Sequence, residues 1–149
     1  MTNLERARRL VEQVRGVGTS DFCACAGSRN SPLLAVLADA QVFSFVDERS
    51  AAFFALGRTK LHGNPCAVVT TSGTAVAELL PAVVEAYYSA SPLILITADR
   101  PARFRGSGAP QAIEQVGIFG RYAATSLDGW TRTTPLHLNI EFDEPLIDE

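Results

Sequence analysis

Glu48 is the carboxylate whose setting most invites chemistry. It lies just beyond the apolar run of residues 41–46 and ahead of residues 50–56, which carry no charge. Partial desolvation there would raise its pKa and let it hold or share a proton. Asp47 and Glu48 suit equally the start of a helix, whose dipole favours acids, and residue types alone favour that plainer role. Thr71, Ser72, Gly73 and Thr74 stand between an apolar run and a helical stretch. Their backbone amides suit an anion as well as they suit an ordinary helix cap. Arg29, Arg100, Arg103 and Arg105 gather near similar boundaries in a chain of net charge −3. Arginine forks match carboxylates and phosphates, so an anionic ligand is expected, with Arg103 and Arg105 better read as solvated loop residues.

Other chemistries find less support. Cys23 and Cys25 share a strand face, and Cys66 makes the count odd. With only His62 and His137 to complete a metal site, at no finger-like spacing, buried free thiols are the better reading. Gly106-Ser107-Gly108 lacks the third glycine and the preceding strand of a dinucleotide fingerprint, and there is no Walker sequence. No Ser-His-Asp or Cys-His arrangement is supported by spacing. Trp130 and the phenylalanines Phe43, Phe45, Phe53 and Phe54 read as core or loop packing.

The elements that must position these residues follow from patterning. The 149 residues are 47% hydrophobic and 19% charged, enough for one domain with a real core. The acidic balance argues against nucleic acid, and no apolar run is long enough for stable membrane insertion. The polar N-terminus is no signal peptide, and with few cysteines the expected compartment is the cytoplasm. Thr2 and Glu5 form a capping box for a helix ending at Gly16 or Gly18. A strand over 21–26 leads to a helix capped by Ser31, with Pro32 at its first position, running to Ala38. A strand over 41–46, a helix capped by Asp47 to about Leu61, and a strand over 66–71 follow. The next helix runs to about Tyr88, with Pro81 marking a kink or restart, and precedes a strand over 92–97. A long irregular stretch over 101–112, a short helix near 114–119, a strand near 122–126 and a last strand over 136–142 complete the pattern.

Strand–helix alternation with strands apolar on both faces predicts an α/β, doubly wound, mainly parallel sheet with helices on both faces. Sites in such folds gather at the carboxyl ends of the strands, where the unusual residues above fall.

Five of these segments, in order, resemble the N-terminal, pyrimidine-binding domain of the thiamine-diphosphate-dependent synthases of menaquinone biosynthesis. They are Gly27-Ser28-Arg29-Asn30-Ser31-Pro32-Leu33, Asp47-Glu48-Arg49, the stretch from Thr71 to Ala77, Thr97-Ala98-Asp99-Arg100-Pro101 and Gln111-Ala112-Ile113-Glu114-Gln115. Together they cover most of residues 10–120.

The resemblance implies a transferase of the thiamine pyrophosphate (thiamine diphosphate) class, with Mg²⁺ or Mn²⁺ as its metal. Glu48 matches the family's catalytic and cofactor-binding glutamate, which bonds the aminopyrimidine ring and favours the imino tautomer that generates the ylid. That assignment reverses the plainer reading of Glu48. Thr71, Ser72, Gly73 and Thr74 would line the cofactor cleft, while Ser28, Arg29, Arg100 and Gln111 would bind substrate. The implied substrates are 2-oxoglutarate, which is decarboxylated, and isochorismate, which receives the resulting carbanion equivalent. Two departures stand out. No Gly-Asp-Gly metal and diphosphate motif is present, so the metal and diphosphate ligands are not in this chain. Residues 127–134 are also too few for the helix that the family carries between its last two strands. The expected organisation is a pyrimidine-binding domain over 1–142 and the start of a linker over 143–149, with the central and diphosphate-binding domains absent. Such a chain alone would be inactive and would self-associate or pair with a diphosphate domain. The rival expectations are the same domain of another thiamine-dependent decarboxylase or synthase, and a non-catalytic assembly module of this fold.

Overall fold

Thr2 and Glu5 close the capping box expected of them. Thr2 Oγ1 accepts the Glu5 N–H at 3.1 Å, and the Glu5 carboxylate accepts the Thr2 N–H at 2.8 Å. They open α1 (Asn3–Gly16), which turns Ala7, Val11 and Val14 inward at helical spacing. The computed structural model describes residues 1–147. After α1 come β1 (Asp21–Cys25), α2 (Ser31–Val36), β2 (Gln41–Phe45), α3 (Glu48–His62), β3 (Ala67–Thr70) and α4 (Thr74–Ala77). Then follow α5 (Leu80–Tyr88), β4 (Ile94–Asp99), 3₁₀ turns at Ala102–Phe104 and Gly120–Tyr122, and β5 (Leu136–Glu141). Pro81 falls in the first turn of α5, where its missing N–H costs nothing, so the long helix restarts there.

The strands form one sheet in the order β2-β1-β3-β4-β5, every neighbouring pair parallel. Alternate residues of each central strand feed two cores. Cys23, Cys25, Val68 and Leu95 pack with Ala51, Ala52 and Ala55 of α3 and with Ala82, Val83 and Ala86 of α5. Phe22, Ala24, Val69, Ile94 and Ile96 pack with α1 and α2 on the other face. Alanines let α3 lie close on the sheet, and burying each large aliphatic side chain is worth about 1.5–3 kcal/mol. The doubly wound parallel sheet is thus as expected, and the three cysteines are buried free thiols.

Several local expectations are corrected. Asn30, not Ser31, holds the N-cap position of α2, and the helix stops at Val36. The Asn30 side chain accepts the Gly27 N–H (2.9 Å) and donates to the Cys25 carbonyl (2.8 Å), bracing the loop after β1. No helix forms near residues 114–119, where Gly117 and Gly120 adopt positive φ of 72° and 51°. The strand expected near 122–126 shrinks to one parallel bridge between Ala124 and Leu136. Residues 127–134 are too few to carry the chain back along a full strand, so only a single pair can form. Phe53 and Phe54 are not core residues, being 44% and 39% exposed.

The end of the described chain folds back on its beginning. Asn3 Nδ2 donates to the carbonyls of Asp143 (2.7 Å) and Pro145 (2.9 Å). Of the expected linker over 143–149, residues 148 and 149 lie outside the described residues. Among the described residues, no helix is long and apolar enough to cross a membrane.

Candidate functional site

The chain winds outward from β1 to β2, then crosses to β3 on the other side of β1, which makes the β1–β3 boundary the switch point of the sheet. Loops at the carboxyl ends of strands part there and leave a crevice. Two glycines show how closely its walls meet. A Cβ on Gly27 would lie 2.5 Å from Thr71 Cβ, so the loop after β1 rests directly on the Thr71 side chain. Gly73 has φ of +84°, and a Cβ there would come within 3.0 Å of Gln111 Cα. Gln111 itself takes a φ of 54°, a left-handed conformation that a non-glycine residue holds at a cost of about 1–2 kcal/mol.

Thr71, Ser72, Gly73, Thr74 and Gln111 are therefore brought together, with Gly27 and its neighbour Ser28 on the other wall. Arg100 joins them indirectly, its Nε donating at 2.9 Å to the carbonyl of Pro110, the residue before Gln111. Ser28 is exposed. Arg29 turns away: it is buried, donates to the Phe142 carbonyl (3.0 Å) and pairs with the Glu144 carboxylate (3.0 Å). Arg103 is exposed, as expected of a solvated loop residue, and pairs at the surface with Asp143, whereas Arg105 is partly buried and pairs with Glu141 and Asp99. The turn at Gly73 is no ordinary cap, because no side chain caps α4. The Gly73 N–H is already spent on Gln115 Oε1 at 3.1 Å.

The two acids after β2 divide their roles. Asp47 caps α3, accepting the Ser50 N–H at 2.6 Å, and this bond holds its pKa below the usual carboxylate range. Glu48, the first residue of α3, is half-buried. Among the described residues its carboxylate makes no hydrogen bond and no ion pair. It lies close enough to the end of β1 to act on Cys25, whose thiol is pushed up to about 11, first by burial and then by the charges of Glu48 and Asp47. The site thus offers a partnerless carboxylate at one strand end and a rigid Thr-Ser-Gly-Thr turn two strands away. Among the described residues no three His, Cys, Asp or Glu side chains are placed to hold a metal ion.

Residues 5–118 match the family described as the thiamine pyrophosphate enzyme, N-terminal TPP binding domain. The chain belongs to this family. Among similar proteins, a 2-succinyl-5-enolpyruvyl-6-hydroxy-3-cyclohexene-1-carboxylate synthase of Bdellovibrio bacteriovorus is 50% identical over 164 residues, covering 99% of this chain and 31% of the relative. Synthases of the same name from Akkermansia muciniphila and Chloroflexus aurantiacus are 54% and 42% identical, covering 86% and 93% of this chain. The chain spans about a third of the length of these curated relatives, or slightly less. The 164 aligned positions exceed the 149 residues of this thiamine pyrophosphate enzyme domain, so the Bdellovibrio relative carries residues that are missing here.

A buried polar network escaped the sequence reading. Thr97 and Asp99 of β4 face Asn139 and Glu141 of β5 in register, and Gln115 reaches in from the irregular stretch. The only sequence signal was the alternation of His137 and Asn139 with apolar neighbours in the last strand. His137 bonds Thr97 Oγ1 through Nε2 (2.7 Å), and burial lowers its pKa to about 4. Because the unfolded chain takes up that proton first, stability present above pH 6.5 is lost as pH falls towards 4. This predicts a loss of roughly 2 kcal/mol between pH 7 and 5 in urea unfolding. A His137→Gln variant should lack that component; an unchanged slope would refute the assignment. Asp99, its pKa raised chiefly by burial, acts in the opposite sense as pH falls, and that part should survive in the variant.

Proposed function

We propose that the chain is the pyrimidine-binding part of a thiamine-diphosphate-dependent synthase that decarboxylates 2-oxoglutarate and adds the four-carbon unit to isochorismate in menaquinone biosynthesis. The observation that carries this reading is Glu48, half-buried and partnerless at the end of the edge strand β2, one strand from the switch point. Bound thiamine diphosphate would supply an acidic carbon able to attack a 2-oxo acid. Glu48 would bond the aminopyrimidine and hold a proton on its ring, while Thr71, Ser72, Gly73 and Thr74 would line the ring's cleft. Ser28, Arg29, Arg100 and Gln111 would take the substrate carboxylates and hydroxyls. Arg29 faces Phe142 and the Glu144 carboxylate in this structure, so to take a substrate carboxylate it would exchange Glu144 for it.

The diphosphate and its Mg²⁺ or Mn²⁺ would be held by a diphosphate-binding domain on another chain or segment. Phe53, Phe54 and Leu80, all partly exposed, would meet that domain or a second copy. The expected setting is the cytoplasm. The test is decarboxylation of 2-oxoglutarate by the chain mixed with a separately made diphosphate-binding domain, each alone being silent. Activity of this chain by itself would overturn the division of labour.

Gln111→Gly separates stability from function. It relieves the left-handed backbone at Gln111 yet deletes the polar group, so stability should stay within about 1 kcal/mol. Decarboxylation by the mixture should fall at least ~10-fold. Denaturant unfolding and initial rates on the same preparation check both halves, and an unimpaired rate would remove Gln111 from the site.

A further inference from the structure

We infer that Gln115 is the positioning residue of this site, one buried amide fixing the Thr71–Thr74 turn and the Gln111 backbone against the ends of β4 and β5. Its role in catalysis rests on the function proposed above; its bonding does not. The Gln115 side chain is fully buried although residues 105–119 contain no regular element. Its Oε1 accepts the Gly73 N–H (3.1 Å), while its Nε2 donates to the Ala98 carbonyl (2.9 Å) and to Asn139 Oδ1 (2.7 Å). Three segments meet on this one group: the turn after β3, the strand end leading to Arg100, and β5.

Backbone partners fix the orientation of the whole network. Gly73 N–H can only donate and Ala98 C=O can only accept, so the Gln115 amide has a single possible setting. Its Nε2 then requires Asn139 to present Oδ1, which leaves Asn139 Nδ2 to donate to Asp99 Oδ2 at 2.9 Å. Thr97 Oγ1 donates to the same Asn139 Oδ1 (2.7 Å), so it must accept from His137, which therefore carries its proton on Nε2. No member can flip without leaving a buried donor or acceptor unmatched. Gly73 lies against the Gln111 backbone, so a fixed Gly73 amide also fixes Gln111.

The first test is direct. In the wild-type chain, NMR should show a coupling across the hydrogen bond between Gly73 N and Gln115 Cδ. Its absence while couplings across the β1–β3 ladder are visible would overturn the inference. The second test uses Gln115→Met, which keeps length but not polarity, and Gln115→Glu. A carboxylate can accept from Gly73 but offers no donor to Ala98 or Asn139. In Gln115→Met the Gly73 amide should exchange at least ~10-fold faster and the Gly73 and Gln111 signals should shift. In Gln115→Glu, which keeps the acceptor, the shifts should fall at Ala98 and Asn139 instead, and in both Phe22 and Val68 keep their relative protection. Acceleration spread uniformly over the sheet would mean a merely structural role. In the mixture with the diphosphate-binding domain, half-saturating 2-oxoglutarate should rise ~10-fold at a temperature where both forms are fully folded. If the wild-type mixture fails to bind thiamine diphosphate, the proposed function falls, while the Gly73 coupling and exchange still decide the bonding.

Discussion

Glu48→Gln should abolish 2-oxoglutarate decarboxylation by the reconstituted mixture, a loss of at least ~10³-fold, while hardly changing the chain's stability. The two halves of this expectation come from different observations. Positioned proton transfer is worth about 10²–10⁴ in rate, and an amide can neither take nor return the proton. Stability is spared because Glu48 makes no bond to lose, and Asp47 alone caps α3 through Ser50. Gln is isosteric, so cofactor binding should weaken far less than turnover. Initial rates and thermal melts on one preparation test both halves. A variant retaining a tenth of the wild-type rate would mean that Glu48 is only a helix-start acid.

Gly73→Ala is the second large effect, and here stability and site fail together. At φ +84° and ψ −140° an L side chain is strained, and its Cβ would press on Gln111 Cα at 3.0 Å, a backbone atom that cannot swing aside. The expected cost is about 2–4 kcal/mol in urea unfolding, with loss of the Gln115 bond and of cofactor affinity. Gly63→Ala is the control. Gly63 also has positive φ, 72°, as the left-handed cap of α3, but a Cβ there meets nothing within 4 Å. Its cost should be only about 1 kcal/mol. Equal effects at the two glycines would show that backbone strain alone matters and that contact with Gln111 does not.

The contrast between these glycines mirrors what sequence could and could not reveal. Thr2 with Glu5, Asp47 and Pro81 are local signals whose partners lie within one helical turn, so the helix boundaries they set were legible. The apolar runs of β1, β3 and β4 declared a sheet covered on both faces. The irregular stretch over 101–112 was legible as such, but the arrangement of residues 113–135 was not, because their order is tertiary. Gln115 is held by Gly73, Ala98 and Asn139, and Trp130 Nε1 donates to Thr134. Gln111 and Arg132 adopt left-handed φ without being glycine, so composition gave no warning of those turns. In the candidate site, Glu48 and Thr71–Thr74 were singled out by their place at strand ends, while the family resemblance, not placement, gave Glu48 its proposed role. Nothing in the spacing of Gln111 and Gln115 told which would be exposed at the cleft and which would turn inward. The partners of Arg29 and Arg105 were equally hidden, since Glu144 and Glu141 meet them only after the last strand is in place.

The central claim, that this chain is the pyrimidine-binding half of a thiamine-dependent synthase, is tested most directly by calorimetry. Thiamine diphosphate with Mg²⁺ would be titrated into the chain alone, into a separately made diphosphate-binding domain, and into their mixture. The account expects tight binding and 2-oxoglutarate decarboxylation only in the mixture, with turnover lost in Glu48→Gln. A mixture that forms a complex yet neither binds the cofactor nor releases carbon dioxide would contradict it and leave an assembly module that keeps the fold without the chemistry.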